Sequence, residues 1–187
     1  MKGIYRIIMQ SSKKKLTKYL LLIILTIIMV GIDQISKYLI VNRLNMEKNY
    51  PIIPKLISFE YLENRGVAFG IMDGKMTLIT IVVILVTIGI IYIIKLLQNS
   101  IYRNHNLSKK FTFLQVLSTF MIAGAIGNLI DRIRLGYVVD FIKFDFIDFP
   151  TFNIADCYVV VATILVFIIL MFFTNENEFE SLFHKEV

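Results

Sequence analysis

Gly124-Ala-Ile-Gly127-Asn128-Leu-Ile-Asp131-Arg132, followed by Val138-Val-Asp140 and Phe152-Asn153-Ile-Ala155-Asp156, sets carboxylates, side-chain amides and a guanidinium between two long apolar runs. An ionisable side chain at the centre of a membrane helix costs roughly 2.5–3.5 kcal/mol. Polar groups gathered at the edge of such runs therefore call for a function. The stretch also fixes how the runs must be arranged. If both cross a bilayer, the end of the first and the start of the second emerge on one face, because only about twenty residues join them. Asp131, Asp140 and Asp156 converge there whatever the detail of the connection.

Composition outside this stretch agrees with a membrane frame. Hydrophobic residues make up 57% of the 187-residue chain and its mean hydropathy is +0.71, whereas soluble domains are about 45–50% apolar. The length suits one domain. A net charge of +6 could point to nucleic acid, but the cations are spread along the chain. Their dense group, Lys2, Arg6, Lys13, Lys14, Lys15 and Lys18, precedes the first apolar run, where it acts as a topology signal. No nucleic-acid partner is expected. Cys157 is the sole cysteine, which excludes an intramolecular disulfide and a cysteine metal cluster. His105 and His184 stand outside any His-Glu-x-x-His pattern, so zinc-peptidase chemistry lacks its ligands; neither metal nor cofactor is expected. The run from Tyr19 is too long for a signal-peptide core, and no Ala-x-Ala-like site follows it.

The pattern predicts an all-α membrane protein with four transmembrane helices and a small extracytoplasmic β-cradle between helices 1 and 2. Residues 1–187 form a single polytopic domain: a basic arm over 1–18, interfacial or partly disordered; spans at about 19–41, 76–97, 111–133 and 154–173; a β segment over 42–75; and a tail over 174–187. Ile52-Ile53, Leu56-Ile57 and Phe59-Glu-Tyr-Leu62, bounded by Pro51, Pro54 and Gly66, carry the β character. The arm beside the first helix sets both termini in the cytoplasm and the carboxylates near the outer face. Lys and Arg number eleven on the inner side against nine outside, so the arm, not the tally, carries this orientation.

Asp33 and Lys37, four apart on a helix, can pair, either as a structural ion pair or in contact with the reacting groups. Asn128, Asp131 and Arg132 fall at i, i+3 and i+4. Gly136 supplies a left-handed stop for that helix, and Asn153 with Asp156 has the spacing of a capping box. Two carboxylates a few ångströms apart cannot both ionise cheaply, so one keeps a proton while the other is a base. Such a pair can activate water against a carbonyl with no covalent intermediate. Spacing alone leaves open which two of the three aspartates pair. There is no Gly-x-Ser-x-Gly, Ser36 and Lys37 do not face each other on a helix, and Cys157 has no histidine nearby in sequence. The rival reading is a small proton- or cation-coupled transporter, though its ionisable groups belong near mid-bilayer with repeat symmetry. Another is an assembly factor using Asp and Arg as interhelical glue.

Gly127-Asn128-Leu-Ile-Asp131-Arg132, Val138-Val-Asp140-Phe and Phe152-Asn153-Ile-Ala155-Asp156 resemble signature blocks of the signal peptidase II family, the lipoprotein signal peptidases. Asp33-Gln-Ile-Ser-Lys37 and Asn64-Arg-Gly66-Val-Ala68-Phe69 resemble its two earlier blocks, in order, over residues 20 to 172. The resemblance implies a four-helix aspartic peptidase of the bacterial cytoplasmic membrane that cuts prolipoproteins before a diacylglyceryl-modified cysteine. It implies Asp140 and Asp156 as catalytic, with Asn64, Gly66, Asn128, Arg132 and Asn153 binding substrate or organising the site. Asp33, Lys37, Gly124, Asp131 and Ala155 would support them. The expected partners are the lipid-modified prolipoprotein and the bilayer, with the enzyme a monomer. The segment around Asn64 and Phe69 is expected to close over the site.

Overall fold

The structure, a computed structural model, describes residues 2–43, 49–66, 75–103, 108–180 and 182. Four helices carry segments long and apolar enough to cross a membrane: Lys13–Arg43, Met76–Ile101, Ser108–Leu135 and Ile154–Phe172. The second is so rich in Ile, Val and Thr that propensity alone would favour a strand. In lipid no water can satisfy an open backbone, so the helix, which pairs every peptide group internally, wins.

Helix α1 (Lys2–Arg43) is unbroken, so residues 2–18 continue the first span as helix rather than forming a separate arm. Helices α2 (Met76–Arg103), α3 (Ser108–Leu135) and α4 (Ile154–Phe172) complete the bundle. The central helix is α3, packed against α1, α2 and α4. Over half of its apolar window is buried, against 11–17% in the other three. Its contact with α4 is close because small residues meet there. A Cβ on Gly124 would run into the carbonyl oxygen of Ala155 and come within 2.7 Å of Val159 Cγ2. Ala155 and Ala162 are fully buried. Without a hydrophobic drive between helices in lipid, such close approach supplies the packing energy.

The cradle is a three-stranded antiparallel sheet of β1 (Tyr50–Ile53), β2 (Ile57–Asn64) and β3 (Val138–Phe144), with β2 in the middle. Two strands lie between α1 and α2, as the sequence suggests. The third comes from the α3–α4 connection, whose extended form is legible but whose pairing is not. Leu56, read as part of a strand, lies in the turn, with its N–H on the Ile53 carbonyl at 3.0 Å and Lys55 left-handed at φ 67°. Pro51 sits on edge strand β1, where a missing donor is tolerated. The register sets Asn64 opposite Val138 and Leu62 opposite Asp140, with an irregularity between Phe59 and Leu62. Ser58 Oγ donates to Asp145 at 2.7 Å, and Lys143 pairs with Glu60. Phe144 packs on Phe146, Phe149 and Phe152, closing the turn that leads into α4.

At the opposite end, α5 (Glu176–Glu180) folds beneath the bundle. Lys110 holds Glu178 at 2.6 Å, and Leu182 packs on Leu97, Phe111 and Leu114. Residues 67–74 lie outside the described residues, and the expected closure by Phe69 falls among them.

Candidate active site

Helix α3 ends as its sequence predicts. Gly136 takes φ +79°, and its N–H bonds the Arg132 carbonyl at 3.2 Å. The left-handed residue reverses the chain into β3, which carries Asp140 back over the bundle. Helix α4 then begins on a complete capping box: Asn153 Oδ1 accepts from the Asp156 N–H at 3.0 Å, and Asp156 Oδ2 accepts from the Asn153 N–H at 3.1 Å. Each local device is an ordinary terminus. Together they turn two carboxylates towards one space.

That space is a cavity of about 420 Å³. Asn64, Gly66, Asn128, Arg132, Asp140 and Asp156 form its polar side, while Phe144, Phe149, Phe152, Val160 and Val161 are among its apolar lining. Asn153 is fully buried between the two aspartates: its Nδ2 donates to Asp140 Oδ1 at 2.6 Å while its backbone and Oδ1 hold Asp156. Asn64 Nδ2 donates to Asp140 Oδ2 at 2.8 Å, and Asn64 Oδ1 accepts from the Gly66 N–H at 3.0 Å. Asn128 Nδ2 donates to Asp156 Oδ1 at 2.7 Å.

Behind this layer lies a buried ionic one. Lys37 Nζ meets Asp33 Oδ2 at 3.0 Å, Asp131 Oδ2 at 2.9 Å and Asn128 Oδ1 at 2.9 Å. An ammonium on Oδ1 forces the Asn128 NH2 the other way, onto Asp156. Asp33 Oδ1 accepts from the Ala155 N–H at 3.0 Å, which ties α1 to the first turn of α4. Asp131 accepts from the Val139 N–H at 3.1 Å and from Gln34 at 2.9 Å. Asp131 is absent from the cavity lining and both its oxygens are engaged elsewhere, so among the three aspartates it is Asp140 and Asp156 that share a space. The i, i+3, i+4 spacing therefore splits: Asp131 turns towards α1 while Arg132 lines the cavity.

Burial, and next the charge of Asp156, push the Asp140 carboxyl up to about 7 against the partial relief of Asn64, Asn153 and Lys37. Arg132 brings a guanidinium whose Nε is buried with no hydrogen-bond partner among the described residues. Such an orphaned donor beside a cavity can take a carbonyl oxygen.

Three contributors are given no site role by motif reading, although Gln34 and Gly127 lie within quoted blocks. Gln34 Nε2 bridges Asp131 and the Gly127 carbonyl, the latter at 3.1 Å. Gly127 itself leaves room for the ion pair, because a Cβ there would lie 2.5 Å from Asp33 Oδ2. Cys157 lines the cavity beside Asp156. The phenylalanine-rich stretch from Phe141 to Phe152 was the one available signal for the apolar wall.

Residues 12–173 match the family described as signal peptidase (SPase) II. A lipoprotein signal peptidase of Caldanaerobacter subterraneus is 41% identical over 152 residues, covering 80% of this chain and 95% of the relative. One from Enterococcus faecalis is 39% identical over 148 residues, covering 79% of this chain and 86% of the relative. A solved bacterial membrane enzyme superposes with a TM-score of 0.67 at 33% identity, over 89% of this chain and 93% of its own.

Proposed function

The chain belongs to the signal peptidase II family, and from that premise we propose that it is an aspartic endopeptidase whose Asp140 and Asp156 cut prolipoproteins before the lipid-modified cysteine. The observation that carries the reading is the Asn153 bridge, which holds both carboxylates on one cavity wall.

The two environments divide the roles. Asp156 caps a helix N-terminus, where the dipole and two N–H donors favour a negative charge. It is the base. Asp140, buried beside that charge and pushed up to about 7, keeps the shared proton. Water held between them gives one proton to Asp156 while its oxygen adds to the peptide carbonyl. The Asp140 proton first supports the developing oxyanion, then passes to the leaving nitrogen as the C–N bond breaks. The products are a carboxylic acid and the free amine of the cysteine, and transfer of the remaining proton from Asp156 to Asp140 restores the pair. Arg132 and Asn64 line the path where the peptide backbone would lie, and the free Nε of Arg132 suits a backbone carbonyl.

The apolar wall suits a lipidated substrate. Val160 and Val161 are exposed on the outer side of α4, so acyl chains can stay in the bilayer while the cysteine amide reaches the aspartates. Each buried methylene contributes about 0.8 kcal/mol, enough to confine such a substrate to the membrane plane. The basic segment of α1 favours cytoplasmic termini and a site near the outer face. Incubating the purified protein with a lipidated precursor and its unlipidated counterpart tests the proposal. Cleavage of the lipidated form alone is expected; equal cleavage of both removes the substrate assignment.

A further inference from the structure

At the end of the bundle away from the aspartates, α1 carries two lysines that the catalytic architecture does not use. Lys15 Nζ donates to Asn99 Oδ1 on α2 at 3.2 Å, and Lys18 Nζ donates to Thr112 Oγ1 on α3 at 2.7 Å. Both ammoniums are partly buried, one helical turn apart, at the seam where α1 meets two other helices. Each has three donors, and each meets a single neutral oxygen among the described residues. Neither has a carboxylate within ion-pair distance there. Among the described tail residues, Glu178 is engaged with Lys110 instead.

Their depth identifies the missing anion. Lys18 lies nineteen positions from Lys37 of the buried ionic layer, a rise of roughly 28 Å along a helix. The hydrocarbon core is about 30 Å thick, so Lys18 lies at the headgroup level of the far leaflet. Immediately beneath it Leu20, Leu21 and Ile24 are exposed. Unneutralised ammoniums above exposed aliphatic surface have the pattern of a phospholipid, with phosphate above and chains below.

We propose that Lys15 and Lys18, with the polar groups of Asn99 and Thr112, seat the phosphate of an anionic phospholipid in the leaflet opposite the aspartates. The lipid closes the seam between α1, α2 and α3 by supplying a charge that the described residues do not place there. The seat is independent of the peptidase reading and of which leaflet faces the cytoplasm.

The full-length protein in phosphatidylcholine nanodiscs containing a minor fraction of phosphatidylglycerol tests this, with retained lipids counted by native mass spectrometry. Wild-type protein is expected to retain phosphatidylglycerol above its share of the bilayer; no such preference overturns the seat outright. The Lys15→Gln/Lys18→Gln variant should lose that retention by roughly thirtyfold, since each of the two lysines near a charged surface contributes about 1 kcal/mol. Lys15→Arg/Lys18→Arg should keep it. The exposed pair Lys13→Gln/Lys14→Gln should also keep it, and an equal loss there means a diffuse basic surface instead of a seat. Inorganic phosphate added to protein in neutral detergent should not raise its melting temperature; a rise equal to that from phosphatidylglycerol would assign the site to a soluble anion and reject the lipid. Cleavage by the Lys15→Gln/Lys18→Gln variant in phosphatidylcholine discs should match wild type, which reports an intact fold.

Discussion

Asp140 and Asp156 are chemically identical side chains separated by their surroundings: one fully buried on β3 beside the other's charge, the other capping a helix. Replacing either by Asn should lower the cleavage rate by at least about a hundredfold, the usual scale of a lost general acid or base. The variants should still insert in the membrane. A gel-based assay on the lipidated precursor measures this, and cleavage retained by both variants would sink the dyad. The pH dependence carries a definite sign. Asp140 titrates near 7 in the fold against an ordinary value of 3.8, so between these pH values the folded protein holds a proton that the unfolded chain has released. In the proposed mechanism turnover needs that proton, so kcat should fall as pH rises through about 7, while folding stability should decline earlier, as pH rises from 3.8 to about 7. Because the two groups titrate as a pair, the limb belongs to the dyad. A kcat flat from pH 6 to 9 would contradict it.

Elements are held to one another by contacts that extend the Asp33–Lys37 pair expected from its i, i+4 spacing. The Asp33–Lys37–Asp131 cluster joins α1 to α3, and through the Ala155 N–H it reaches α4. Lys37→Met would leave two carboxylates buried without their cation and should cost about 3–5 kcal/mol of stability. Denaturant titration in detergent reads that loss, and a change below 1 kcal/mol would mean the cluster is not structural. Gly127→Ala would drive a methyl towards Asp33 Oδ2, 2.5 Å from the ideal Cβ position. Separation of α1 from α3 should cost about 1–3 kcal/mol and reduce cleavage by loosening Asn128. At this scale the sequence was partly legible. Asn153 with Asp156 announced its cap and Gly136 its helix stop, because both signals are local. The pairing of β3 with β2 was not, since nothing within Val138–Phe144 names its partner strand.

For the whole molecule, one face carries the aspartates and the cradle, and the other carries the lysine seam and α5. The orientation is testable in a Cys157→Ser background. Cysteine at Lys55, in the β1–β2 turn, should react with an impermeant thiol reagent in intact cells, and cysteine at Lys14 only after permeabilisation. The reverse pattern would invert the topology.

Composition and apolar run length determined the membrane and the four crossings, since a bilayer leaves a spanning backbone almost no alternative to the helix. The short span between the third and fourth runs likewise determined that their polar ends meet. Only tertiary structure decided which carboxylates share the cavity. Asp131 matches Asp140 and Asp156 in residue type, and its difference lies in Lys37, Gln34 and the Val139 N–H, partners brought in from α1 and β3. A carboxylate's role follows from the charges and donors around it, and those come from distant parts of the chain.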